Sequence, residues 1–264
     1  MKRFLYLSLA ALMTLTVSCN KDKPAPDVPV VVPEEAVDLG IVMTREDGTK
    51  YKLYWAKSNL STAGLCANPE DAGDYYAWGE VLPYYLEGHS QDNPCYYWRT
   101  GKSGYAWETY IWSSEGGDKL TRYCTVESLW DGPGELDGKT EFSGYGYADD
   151  AARVTLHGKW RVPTDAEWDA LLNECEWTWT EQNGKNGRMV TGSNGNSIFL
   201  PAAGFWTISN SFTGLGTLGA YWSSTISSEG GPRLAIGVGI TKSTFFLGTA
   251  ARICGHSVRP VWEE

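Results

Sequence analysis

The run Trp160-Arg161-Val162-Pro163-Thr164-Asp165-Ala166-Glu167-Trp168 constrains this chain more tightly than any other. Thr164 is placed to accept the backbone N–H of Glu167, and the Glu167 carboxylate to accept that of Thr164. This is a capping box, which satisfies two donors otherwise left open at a helix start. Pro163 holds the residue before it extended, and Asp165 puts negative charge on the positive end of the helix dipole. Trp168, Leu171, Leu172 and Cys175 then recur at i, i+3, i+4 and i+7, one apolar stripe about two turns long. The pattern predicts an amphipathic helix that starts at Thr164, is entered from an extended segment, and docks beneath a small antiparallel sheet.

Elsewhere the signals are of short strands and turns. Residues 38–44 and 50–56 are extended runs around Arg45-Glu46-Asp47-Gly48, a hairpin signature. Residues 64–104 hold turn formers and tyrosines without a lasting period and read as long ordered loops with short strands. Tyr105 to Trp112 is aromatic-rich and reads as strand, and residues 131–147 as loop. After the helix a β-meander is expected. Trp177 and Trp179 alternate with Thr178 and Thr180, and turns are predicted at Asn183-Gly184, Asn186-Gly187 and Asn194-Gly195-Asn196. Gly214-Leu215-Gly216 leads to a strand at Ala220–Ser224, with further strands near 234–240 and 257–262. The sum is an α+β fold of short antiparallel strands, few helices and much irregular loop. The chain has 13 Trp and 15 Tyr, enough large aromatics to hold loops together, with a few available as a platform for sugar rings.

The N-terminal region reads as a leader and a tether. Lys2 and Arg3 precede an apolar run, Phe4 to Val17, that is short for a membrane span. Ser18-Cys19 then resembles a lipoprotein cleavage site, with Thr16 in place of the usual aliphatic residue. Residues 1–18 are read as a lipoprotein signal peptide, the alternative being an ordinary secretory signal. Cys19 is the expected lipid attachment site, and it would anchor the protein to a membrane without spanning it. Residues 24–36 contain four prolines and, with Cys19, make 19–36 an acylated, semi-rigid tether. Residues 37–264 are the single expected domain.

Charge and cysteines narrow the partners. The net charge is −10, no basic cluster interrupts it, and loss of Lys2 and Arg3 with the leader deepens it. Nucleic acid is therefore excluded as an expected partner, and the membrane is met through the lipid anchor only. Cys66, Cys95, Cys124, Cys175 and Cys254 form no C-x-x-C pair, and His89, His157 and His256 are scattered. Mostly free, buried thiols are expected, with room for one disulfide and without a zinc site.

The ordered short motifs resemble the formylglycine-generating-enzyme (sulfatase-modifying-factor) branch of the C-type-lectin-like fold. In that branch an aspartate-alanine pair precedes a W-R-x-P-T-x-A-E-W run, as Asp149-Asp150-Ala151-Ala152 here precedes Trp160 to Trp168. More closely, the chain resembles FISUMP-type major paralogous domains of bacterial surface lipoproteins. The matching pieces are Val37-Asp38-Leu39-Gly40, Gly73 to Glu80, Ile198 to Gly204, Tyr221-Trp222-Ser223-Ser224 and Gly255 to Val261. The resemblance implies a C-type-lectin-like fold of sulfatase-modifying-factor type. It also implies an outer-membrane lipoprotein of a Gram-negative bacterium, exposed at the cell surface.

The enzyme branch of that family uses a pair of copper-binding cysteines near the C-terminal end. Only Cys254 lies there in this chain, and one thiolate does not make a two-coordinate soft-metal site. Cys254 and His256, at i and i+2, would share one face of a strand as a candidate activated thiol, or be an incidental pair. No catalytic residue is assigned, so the protein is not expected to be an enzyme. Asp149-Asp150 reads as a cap or a bound structural cation. No cofactor is expected, with room left for a structural calcium ion. The glutamate-proline-asparagine and tryptophan-asparagine-aspartate triplets of calcium-dependent lectins are missing.

In some related lectin-like proteins the C-terminal segment is diversified and faces outward to meet ligands. In residues 225–256, between two motif-bearing frames, the candidate ligand-binding side chains are Glu229, Arg233, Lys242, Phe245, Phe246, Arg252 and His256. Neighbouring residues of a strand face opposite ways, so one of Phe245 and Phe246 packs inward and the other is exposed. An exposed Phe flanked by Lys242 and Arg252 would be a binding hot spot. The expected function is non-catalytic binding of an extracellular glycan or protein. The alternatives are a structural, fimbria-like assembly subunit and an enzyme related to formylglycine-generating oxidases.

Overall fold

The computed structural model describes residues 30–83 and 104–264. The expected signal peptide, Cys19, most of the expected tether and Cys95 lie outside the described residues. Val32–Glu264 is one compact unit, so the last part of the proline-rich segment is folded. Val32 packs against the cluster of Tyr54, Ala56, Trp160 and Trp262, and Lys57 N–H donates to the Glu35 carbonyl at 2.9 Å.

The architecture is α+β, mostly strand with long irregular loops. β1 (Ala36–Thr44) and β2 (Lys50–Ala56) form the expected hairpin. Its register shifts between Asp38 and Ile41, where Gly40 has φ of 82°, a conformation only glycine adopts at low cost. A minimal pair follows, β3 (Leu60–Ser61) with β4 (Gly64–Leu65). After a long loop region come α1 (Ala151–Leu156), β5 (Trp160–Arg161) and α2 (Asp165–Glu174). The meander is β6 (Glu176–Gln182), β7 (Lys185–Thr191) and β8 (Ser197–Pro201). Then come β9 (Ala203–Trp206), β10 (Phe212–Leu215), β11 (Leu218–Ile226), β12 (Leu234–Thr241), β13 (Phe245–Ala251) and β14 (Val261–Glu263). The larger sheets have orders β1-β2-β14-β5, β10-β9-β11-β12-β13 and β6-β7-β8.

α2 is where these sheets meet. The capping box is present: Glu167 N–H donates to Thr164 Oγ1 at 3.2 Å, and Thr164 N–H to Glu167 Oε2 at 2.9 Å. Glu167 is also held by Arg161, at 2.7 Å and 2.5 Å, and by the Tyr51 hydroxyl at 2.7 Å. Arg161 reaches on to Glu263 at 2.9 Å. Burial opposes ionisation of Glu167, but the charge and hydrogen bonds of Arg161 outweigh it and hold the carboxyl below its usual range. One ion pair thus joins α2 to β5, β2 and β14. On the apolar stripe, Trp168 and Leu171 are fully buried while Leu172 and Cys175 are half-buried against the same core. The Trp168 ring lies between Trp55, 4.6 Å away, and Tyr221, 5.9 Å away.

Aromatic donors explain how so much loop is ordered. A buried carbonyl without a partner costs about as much as a lost hydrogen bond. Tyr105 Oη donates to the Tyr75 carbonyl at 2.8 Å, Tyr110 Oη to that of Trp78 at 2.6 Å, and Trp222 Nε1 to that of Tyr76 at 2.7 Å. Three sequence expectations fail for related reasons. Tyr105–Trp112 is a series of turns, not a strand, because its backbone is satisfied locally: Tyr110 N–H bonds the Ala106 carbonyl, and Thr109 Oγ1 bonds that of Gly104 at 2.5 Å. Asn186-Gly187 lies within β7, while Asn183 (φ 48°) and Gly184 (φ 79°) make the turn alone. A Cβ on Gly187 would come within 2.3 Å of the Leu200 carbonyl, so that glycine serves close cross-strand approach. In 257–262 only Val261 onward is strand; Ser257 forms an isolated bridge to Tyr221.

Candidate functional site

β11, β12 and β13 divide their side chains between two faces. The inner face carries Tyr221, Val238 and Ile240 into the core. Phe245 stacks on Trp177, with ring centroids 4.8 Å apart, and lies under Arg188. The outer face is built of small residues. Ala220 pairs with Gly239, Gly239 with Phe246, and Gly237 with Gly248. The Phe246 ring lies across this glycine surface, since a Cβ on Gly239 would come within 2.7 Å of it. Phe246 is 46% exposed. The expectation that one phenylalanine turns inward and its neighbour outward describes this pair.

A second wall comes from a gap between strands. β9 and β11 pair only at Gly204 and Gly219 and then part. Residues 255–257 fill the space, bridging to Trp206, Tyr76 and Tyr221. This brings the His256 imidazole to the outer face, stacked on Trp222 at 3.9 Å and edge-on to Phe205 at 5.5 Å. His256 is 6% exposed and its Nδ1 is buried without a hydrogen-bond partner. Burial lowers its pKa to about 3, so the ring is neutral at physiological pH. Between the walls lies a cavity of about 230 Å³, lined mainly by Phe205, Leu218, Ala220, Phe246, Ala250 and His256 over the glycine floor. No lining residue carries a formal charge.

The remaining predicted site residues do not join this groove. Lys242 is exposed in the β12–β13 turn, and Glu229 is exposed in the β11–β12 loop at the opposite end of β12. Arg233, in that same loop, is half-buried and donates to the carbonyls of Gly117 and Asp118 beneath the Trp107 ring. Arg252 is fully buried, which corrects its reading as a surface contact flanking Phe246. Its guanidinium donates to the Arg122, Tyr123 and Pro232 carbonyls at 3.0–3.2 Å and to the Tyr110 hydroxyl at 2.9 Å, with Trp78 4.7 Å away. A planar fork of five donors suits a knot of loop carbonyls that short side chains do not reach. Ile253 and Cys254 are buried as well, so the 225–256 segment is only in part an outward surface.

The candidate chemical centres are occupied by structure. Asp149 accepts from Arg122 at 2.6 Å and from the Tyr123 hydroxyl at 2.7 Å. Asp150 caps α1 through Arg153 N–H and ties down Val162 N–H, each at 2.9 Å. Its pKa is raised to about 6 by burial. Their oxygens serve the protein itself, and among the described residues no cluster of three or more His, Cys, Asp or Glu side chains could hold a metal. Burial pushes the Cys254 thiol up to about 11, and the neutral His256 supplies no charge to activate it. Cys66, Cys124, Cys175 and Cys254 are free thiols.

Sequence reasoning missed Phe205, Ala220, Gly237, Gly239 and Gly248. The available signal was Gly237-Val238-Gly239, glycine at alternate positions of a strand, which marks a face that something approaches closely. No known protein family, curated protein or solved structure matches the chain.

Proposed function

We propose that this is a non-catalytic binding protein, a C-type-lectin-like domain of sulfatase-modifying-factor type. It is held at the outer surface of a Gram-negative outer membrane through Cys19, and takes an extracellular glycan or protein on the outer face of β11–β13. The observation that supports this reading best is the groove itself, a concave, uncharged, aromatic-walled surface on rigid strands. Preformed sites of this kind lose little entropy on binding. The buried, high-pKa Cys254 and the structurally committed Asp149 and Asp150 favour binding over catalysis.

The test is a glycan array and a peptide array, each probed with the purified protein and with Phe246→Ala. Phe246 is the control because Phe245 belongs to the packing under Trp177. Selective signals that the substitution abolishes support the groove. Signals that survive it place the ligand elsewhere. The structural alternative draws on one feature: among the described residues β13 ends its sheet and pairs only with β12, an edge suited to strand addition. Concentration-dependent self-association blocked by a charged substitution at Leu247 would favour it.

A further inference from the structure

We propose that the groove takes a phenol ring, as a tyrosine side chain or a free phenol, whose oxygen accepts a hydrogen bond from His256. The proposal rests on the binding reading above and narrows its ligand. Three properties of the groove select this chemistry. Its lining is flat, because Gly237 brings no Cβ to it and the Phe246 ring lies over Gly239 and Gly248, and the Phe205 ring lines it as well. Planar rings pack on such surfaces and meet aromatic walls edge-on or offset. Its lining bears no formal charge, and an ionic group placed there would be desolvated without compensation.

The third property is the imidazole. Nδ1 is enclosed without a partner, so a proton there would be a buried donor with nothing to bond. The neutral ring therefore carries its proton on Nε2, the nitrogen left at the groove, and offers one donor to a ligand. An apolar ring with one oxygen matches one donor. A pyranose brings several hydroxyls, for which the lining side chains provide only His256, and those turned toward the floor would be left unpaired.

Long-range 1H–15N spectra of the purified protein report both ring nitrogens of His256 while p-cresol, toluene, N-acetyltyrosinamide or methyl β-glucoside is added. p-Cresol is expected to shift Nε2 and to bind about fivefold more tightly than toluene, which has the same shape without the oxygen. His256→Phe keeps a ring on Trp222 and is expected to erase that preference. The wild-type nitrogen shifts remain decisive if this variant does not fold. Binding by N-acetyltyrosinamide as well assigns the ring to a protein ligand, and binding by p-cresol alone assigns it to a free phenol. Equal binding of p-cresol and toluene overturns the role of His256 and leaves the groove standing. Binding of the glucoside alone overturns the ligand class and leaves the groove standing. No shift at the groove with any probe overturns both.

Discussion

Replacing Glu167 by Gln should be strongly destabilising. The Glu167 carboxylate accepts four hydrogen bonds, two from Arg161, one from the Tyr51 hydroxyl and one from Thr164 N–H. An amide offers one acceptor oxygen, so its NH2 must face a donor, and Arg161 is left with Glu263 alone. Breaking a buried ion pair from one side costs about 3–5 kcal/mol. The Glu263 partner is partly exposed and offsets little of that, since exposed pairs contribute at most about 1 kcal/mol. At about 2–4 °C per kcal/mol for a chain of this size, Tm should fall by roughly 10 °C. Thermal unfolding followed by tryptophan fluorescence measures it, and Glu263→Gln, expected to lose no more than about 3 °C, is the control. The folded-state pKa of Glu167 is depressed. Its contribution is therefore fully present above the unfolded value near 4.5 and is lost as pH falls through the folded one. The gap between wild type and Glu167→Gln should accordingly narrow in acid. A loss under about 2 °C at pH 7, or a gap that widens in acid, would refute the view that this pair fastens α2 to its sheets.

Other substitutions probe separate links. Gly187→Ala should destabilise by about 1–3 kcal/mol in urea unfolding, because its Cβ meets the Leu200 carbonyl at 2.3 Å. Arg252→Lys keeps the charge but cannot span three carbonyls and a hydroxyl, and should cost about 3 kcal/mol, with loss of near-ultraviolet circular dichroism from the surrounding aromatics. The Asp150 carboxyl is raised to about 6 in the fold, so its contribution is largest below its unfolded value near 4 and fades as pH rises through 6. Asp150→Asn should lack that part of the pH dependence of stability. Cys254, with its thiol pushed up to about 11, should react with a disulfide reagent only at the rate of unfolding, and rapid native-state labelling would contradict its burial.

What could be read in the sequence was what is local. The α2 start follows from Thr164 and Glu167 three residues apart, and the β1–β2 hairpin from Asp47-Gly48. Both are decided by atoms within one turn of chain. The errors lie where a residue answers to distant atoms. Asn186-Gly187 has the composition of a turn, but the Leu200 carbonyl thirteen residues on determines its conformation. Tyr105–Trp112 is aromatic-rich like a strand, yet Tyr105 and Tyr110 are committed to the carbonyls of Tyr75 and Trp78. The charge of Arg252 argues for the surface, and its enclosure by Trp78, Tyr110 and Tyr123 comes from segments more than a hundred residues away. The site was half legible for the same reason. Strand alternation separates Phe245 from Phe246, but only the parting of β9 and β11 brings His256 to that face.

That parting also decides which groove residues are free to change. Trp222 belongs to both systems: its Nε1 holds the Tyr76 carbonyl in the loop core, and its face supports His256. The three floor glycines are held to small size by what lies against them. A Cβ on Gly237 would meet the Tyr221 carbonyl at 2.5 Å, and one on Gly239 or Gly248 would meet the Phe246 ring. Substitution at any of these moves the frame along with the groove. Phe246 is exposed and Leu218 and Ala250 half-buried, all on the outer face, and away from the Trp55–Trp168–Tyr221 core. On the proposed reading, changes at these three positions should alter ligand preference while leaving Tm within a few degrees. If the groove binds a ligand as proposed, its specificity can drift without unfolding its support, because the Phe246 rim can change while Trp222 and the Trp55–Trp168–Tyr221 rings hold the frame.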